Sequence, residues 1–163
     1  MTLLSALLLM FLVMDPLGNI PLFLVLLENV DARRRRVVLL RESLFALGFL
    51  LLFLYLGRYV LGMLGISQEA LGIAGGVVLF LIALRMIFPQ PGGMFGPTPR
   101  GEPFIVPIAI PLIAGPSALA TVMLLATREP SRLGTWALAV LGAWCASTVL
   151  LVSAESLRRV LRP

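Results

Sequence analysis

Asp15 is the one acidic residue near the middle of a long apolar run that begins at Met1, and it opens the segment Asp15-Pro16-Leu17-Gly18-Asn19-Ile20-Pro21. Proline has no amide proton, and its ring clashes with the preceding turn of a helix. Pro16 and Pro21 therefore read as helix breaks, and Gly18 adds backbone freedom between them. Asp and Asn both cap helix starts well, and proline suits a first helical turn. The segment predicts two half-helices, the second starting between Asp15 and Asn19. Backbone groups freed in this way are tolerated in a membrane only inside protein or beside water. A half-helix start favours a carboxylate or another anion, while the Asp15 carboxylate and freed carbonyls favour a cation or an ammonium group. A broken helix at mid-membrane thus offers partners for both ends of a small zwitterion. The simpler alternative is a proline kink whose aspartate caps a neighbouring helix end.

A second cluster of breakers lies in Ile110-Pro111-Leu112-Ile113-Ala114-Gly115-Pro116-Ser117. Gly115, Pro116 and Ser117 can start a new half-helix after the breaks at Pro111 and Pro116. Ser117 and Thr121 then place hydroxyls on one face at i, i+4 spacing. The candidate substrate-binding residues are accordingly Asp15, Gly18, Asn19, Gly115, Pro116, Ser117 and Thr121.

The elements that position them are membrane helices. The 163 residues are 60% hydrophobic and 13% charged, with a mean hydropathy of +1.04, whereas soluble domains carry roughly a quarter charged residues. At roughly 20 residues per crossing, the expected fold is all-α: a single polytopic bundle with about five crossings. These fall near residues 2–27, 43–64, 70–88, 104–126 and 135–153, with the first and fourth discontinuous and a flexible cytoplasmic loop at 89–103. Arg41 and Glu42 stand at the entrance of the second crossing. Met1 to Met14 carries no basic leading segment and no small-residue cleavage site, so it does not read as a cleavable signal peptide.

Thirteen arginines are the only basic side chains. Alternate loops put Arg33 to Arg36, Arg41, Arg85, Arg100, Arg158, Arg159 and Arg162 on one side, against Arg58, Arg128 and Arg132 on the other. That bias predicts an amino terminus outside and a carboxyl terminus in the cytoplasm. It also explains the net charge of +5 as topology, with no nucleic-acid partner. With no histidine and one cysteine, Cys145, there is no ordinary zinc, iron or copper set. One aspartate within a crossing supplies no acid–base dyad for an intramembrane enzyme either, so no enzyme and no cofactor are expected.

Three crossings separate the two interrupted segments, which enter from opposite sides, as in an inverted repeat with an incomplete second half. Paired interruptions of this kind point to a transporter's binding site. Gly72, Gly75 and Gly76, and later Gly142, Ala143 and Ala146, permit close helix approach. Ser147 and Thr148 could face a cavity or bond back to their own helix. Glu155 reads as a surface charge beside Arg158 and Arg159.

The segments Asp15 to Phe23, Phe104 to Val122 (FIVPIAIPLIAGPSALATV), and Gly65-Ile66-Ser67 with Ile73 to Leu84 resemble the signatures of the MarC family of bacterial membrane proteins. The resemblance spans the chain in order. It implies a six-helix inner-membrane protein grouped with neutral amino acid transporters and related to LysE-like exporters. This chain carries Ser117 where members often have glycine, and it has no hydrophobic segment after Leu161, so the sixth helix is expected to be missing. The resulting expectation is a secondary transporter for small neutral amino acids or related metabolites, by alternating access at helices one and four. Coupling is to protons through Asp15 or to sodium through freed carbonyls. Its partners are the lipid bilayer, a small-molecule substrate and, as an open alternative, further copies in a homo-oligomer. The competing expectation is a non-transporting assembly or regulatory component whose helix breaks serve packing only.

Overall fold

The computed structural model describes residues 1–27, 30–31, 34–88 and 113–161. The expected loop at 89–103, and the fourth crossing up to and including Pro111 and Leu112, lie outside the described residues. Six helices follow one another: α1 (Leu3–Met14), α2 (Pro16–Leu26), α3 (Arg35–Leu64), α4 (Gln68–Ile87), α5 (Pro116–Arg128) and α6 (Leu133–Leu161), with a 3-10 turn at Pro130–Arg132 before α6. The described residues contain no strand, so the bundle is all-α. Leu3–Pro21, Arg35–Leu64 and Pro130–Ala154 are long and apolar enough to cross a membrane.

Local chemistry sets the helix ends. Thr2 caps α1: its hydroxyl accepts from the Ser5 amide at 3.2 Å, and the Ser5 hydroxyl accepts from the Thr2 amide at 3.0 Å. Ser67 caps α4 through the Ala70 amide at 3.1 Å. α3 ends at Gly65, whose φ of 63° lies where glycine carries no steric penalty. α3 begins at Arg35 and not near Ser43. Hydropathy marks the apolar stretch, but the helix extends two turns further, because Val38, Leu39, Glu42, Ser43 and Ala46 share one buried stripe. Arg41 and Glu42 are thus interior helix residues.

Pro21 does not end its helix: it is exposed inside α2, which runs on to Leu26. The cost is confined to the Leu17 carbonyl, which loses its i+4 donor.

α6 is the central element, packing against α1, α2, α3 and α5, while α5 also packs against α1, α3 and α4. Small residues allow the close approach. A Cβ on Gly142 would stand 2.6 Å from Leu7 Cδ1, and Ala6, Ala139 and Ala143 are wholly buried. Gly76, by contrast, has open space where a Cβ would stand, with nothing within 4 Å, and Ala146 is exposed, so neither serves a tight contact. Substituting Gly142 with valine is expected to lower stability by about 1–3 kcal/mol through overpacking, and Gly76→Val to leave it unchanged, as read by thermal unfolding in detergent. Large apolar side chains such as Leu4, Leu12, Ile73, Phe80 and Leu138 point outward, which in lipid is a solvated face. Cys145 is exposed on α6.

Candidate functional site

The first break is built from hydrogen bonds among its own residues. Asp15 adopts a left-handed backbone, φ 43° and ψ 58°, a region in which Asp is among the better tolerated residues. Its amide donates to the Leu12 carbonyl at 3.1 Å, closing α1, and its carbonyl accepts from the Asn19 amide at 3.1 Å, opening α2. Asp15 Oδ1 accepts from the Gly18 amide at 3.1 Å, so the carboxylate caps the half-helix that follows it. Asn19 Nδ2 donates to the Met14 carbonyl at 3.0 Å, taking up an acceptor that the break has freed. Gly18 is required by space: a Cβ there would stand 2.8 Å from Asp15 Cγ and overlap Oδ2.

Asp15 and Gly18 are exposed, and Asn19 is half-buried. Placing an exposed carboxylate within a membrane crossing costs about 2.5–3.5 kcal/mol on insertion scales.

The second break has a different character. Gly115 is buried in extended backbone, φ −63° and ψ 163°, and its carbonyl accepts from the Leu119 amide at 2.9 Å to open α5. Pro116 occupies the first turn, where its missing amide is no loss. No side chain caps this start, and the amides of Ser117 and Ala118 have no acceptor within the helix. Ser117 is exposed. Thr121 donates its hydroxyl back to the Ser117 carbonyl at 2.7 Å, which leaves it only an acceptor for any other group.

The two breaks lie at one depth. α1 and α5 share one end of the bundle, where the Met1 ammonium meets Glu129 Oε1 at 3.1 Å. From there α1, with 12 residues, runs about 18 Å to Asp15. α5, with 13 residues, comes about 20 Å back to Pro116. No hydrogen bond joins the breaks among the described residues. The clefts among the described residues lie elsewhere: one at the Met1 end of the bundle between α3, α5 and α6, and a small one toward the opposite end lined by Phe23, Leu39 and Leu151.

Sequence reasoning missed a buried polar layer between α3 and α6. Ser43 and Thr148 pair through their hydroxyls at 2.5 Å, and Trp144 Nε1 donates to the Ser43 carbonyl at 2.7 Å. Glu42 is 0% exposed, and its Oε1 accepts from Arg41 Nε at 2.9 Å. Glu42 Oε2 and the 2%-exposed Ser147 hydroxyl have no hydrogen-bond partner among the described residues. Ser43, Thr148 and Asn19 each stand one turn from Leu39, Leu151 and Phe23, which line the smaller cleft together. The polar layer therefore sits at the level of the Asp15 break. The adjacent hydroxyls at 147 and 148 were a signal, but the pairing depends on helix register.

At the Met1 end of the bundle, Arg132 Nη1 donates to Glu129 Oε2 at 2.9 Å and to the Met1 carbonyl at 2.8 Å. The Arg132 hydrogen bond, followed by that of the terminal ammonium, holds the Glu129 carboxyl below the usual carboxylate range. The carboxylate is therefore ionised at neutral pH, and its part in the tie is lost as pH falls through that lowered value.

The whole chain, residues 1–163, matches the family described as MarC family integral membrane protein. It is 46% identical over 158 residues to the UPF0056 inner membrane protein YhgN of Escherichia coli (strain K12), covering 96% of this chain and 80% of that protein. It is 45% identical to a UPF0056 membrane protein of Buchnera aphidicola subsp. Schizaphis graminum, covering 91% and 76% respectively. It is 32% identical to the UPF0056 membrane protein MJ1677 of Methanocaldococcus jannaschii, covering 90% and 75%. No solved structure matches.

Proposed function

The chain belongs to the MarC family of integral membrane proteins, and on that premise we propose that it is a secondary transporter for small neutral amino acids or related metabolites. The observation that carries the reading is the pair of helix breaks at one depth in the bundle, one presenting a carboxylate and the other uncapped amides. A zwitterion matches both. Its carboxylate suits the Ser117 and Ala118 amides at the α5 start, and its ammonium suits Asp15 together with the Leu17 carbonyl deprived of a donor by Pro21. Access alternates as the elements that carry the two breaks rock against each other. A proton at Asp15 or a sodium ion at freed carbonyls supplies the coupling. The amino terminus faces outward and the carboxyl terminus faces the cytoplasm, so a reporter fused after Pro163 is active on the cytoplasmic side only.

The test is uptake and counterflow of radiolabelled neutral amino acids in proteoliposomes, with the chain and its Asp15→Asn variant side by side. The expected result is saturable flux in the parent and a loss of about tenfold or more in the variant, equivalent to about 1.4 kcal/mol of lost interaction. Unchanged flux in Asp15→Asn removes that carboxylate from recognition and coupling.

A second reading has a specific observation in its favour. The Asp15 break satisfies its own groups through Gly18 and Asn19, as expected of a device that only shapes packing in an assembly or regulatory component. Under that reading no amino acid shifts the unfolding midpoint of the purified protein, whereas a transporter is stabilised by its substrate.

A further inference from the structure

The cleft at the Met1 end is unused by this mechanism, and its chemistry is specific. It has a volume of about 160 Å³ and lies between α3, α5 and the start of α6, with an apolar floor of Phe53, Met123, Ala126 and Leu133. Below it the helices touch: a Cβ on Gly57 would stand 2.8 Å from both Met123 Cγ and Sδ. The volume falls short of the roughly 300–1,000 Å³ of a drug-sized ligand site. It suits a narrow chain laid along an open slot.

Arg58 stands on the rim. Its guanidinium lies 4.8 Å from the centre of the Tyr59 ring, and Nη2 donates to the Tyr59 hydroxyl at 3.0 Å. These contacts orient the group without neutralising it, and Arg58 has no acidic partner among the described residues. The nearby acid, Glu129, is already held by Arg132 and the Met1 ammonium. No acid lines the cleft, so the ammonium of a zwitterion would find no partner there. An oriented guanidinium above an apolar slot, flanked by a tyrosine of the kind that populates the headgroup level, matches an anionic amphiphile.

We propose that this cleft binds an anionic phospholipid, with its phosphate at Arg58 and part of one acyl chain over Met123 and Ala126. The site holds the α3–α5 seam at the Met1 end and is separate from the helix breaks, so it stands or falls independently of the transport reading.

The experiment is native mass spectrometry of delipidated protein titrated with phosphatidylglycerol or with phosphatidylcholine of the same acyl chains. The parent is expected to retain one phosphatidylglycerol in preference to phosphatidylcholine. Arg58→Gln should bind it about tenfold more weakly, the scale of one charge-assisted hydrogen bond. Arg128→Gln, one residue from the cleft-lining Thr127, should bind as the parent does. Ala126→Phe, which fills the floor without changing charge, should lose the lipid while far-ultraviolet circular dichroism keeps its helical signal. If that variant fails to fold, the two arginine variants decide. Equal retention of both lipids by the parent, full preference in Arg58→Gln, or an equal loss in Arg128→Gln would overturn the proposal. Full displacement by glycerol phosphate alone would also overturn it, because the slot would then contribute nothing.

Discussion

Replacing Gly18 with alanine is expected to drive the Asp15 carboxylate off the α2 start and to lower stability by about 1 kcal/mol, the usual worth of a helix cap. The added Cβ would occupy the space of Asp15 Oδ2 and Cγ, so the carboxylate has to turn away and the Gly18 amide loses its acceptor. Asp15→Ala alone removes the cap and costs about 1 kcal/mol. The two substitutions compete for one space, so the double variant should cost less than the sum of the singles by about 1 kcal/mol or more. Thermal unfolding in detergent reads all three. Strict additivity would mean that the carboxylate does not sit over Gly18. Flux in proteoliposomes should fall in Gly18→Ala as it does in Asp15→Asn, since both remove the ordered carboxylate from the break.

Glu42→Leu is expected to cost about 2–3 kcal/mol. Removing one partner of a buried ion pair typically costs 3–5 kcal/mol; here Arg41 is a third exposed, so its charge keeps part of its hydration and the cost falls below that range. Glu42→Gln keeps the acceptor for Arg41 Nε and should cost about 1 kcal/mol or less. Arg41→Leu together with Glu42→Leu should recover much of the single loss, because no charge is then left behind. If Glu42→Leu unfolds at the parent's midpoint, the Arg41–Glu42 pair has no structural role.

The helix breaks were legible in the sequence because proline, glycine and aspartate act locally. Asp15-Pro16 does end one helix and start another, and Gly115-Pro116 does open α5. The reason for Gly18 was not legible. Its backbone is helical, and what it provides is room for a carboxylate three residues earlier, which depends on a side-chain rotamer. Pro21 has the composition of a break but leaves α2 intact, because in an exposed position its ring disturbs a single carbonyl. Hydropathy alone does not show where α3 starts, because it sees Arg35, Arg36, Arg41 and Glu42 as charge, whereas the folded chain carries them in the first turns of the helix. Ser43, Trp144 and Thr148 could be joined only by knowing that α3 and α6 pack against each other, which no local pattern encodes. Gly142 acts as small residues do at membrane helix contacts, and Gly76 has the same pattern without the contact.

The account depends on water reaching the two helix breaks inside the membrane. Thiol labelling tests this most directly, in a Cys145→Ala background that removes the exposed native thiol. Single cysteines are placed at Asn19, at Ser117 and, as a lipid-facing control, at Leu12, which is 71% exposed. A membrane-impermeant maleimide reacts only with thiolate in water. The account predicts labelling at positions 19 and 117, slowed by a transported amino acid, and none at position 12. Failure of both break positions to react while a cysteine at Ser67 labels fully would contradict it.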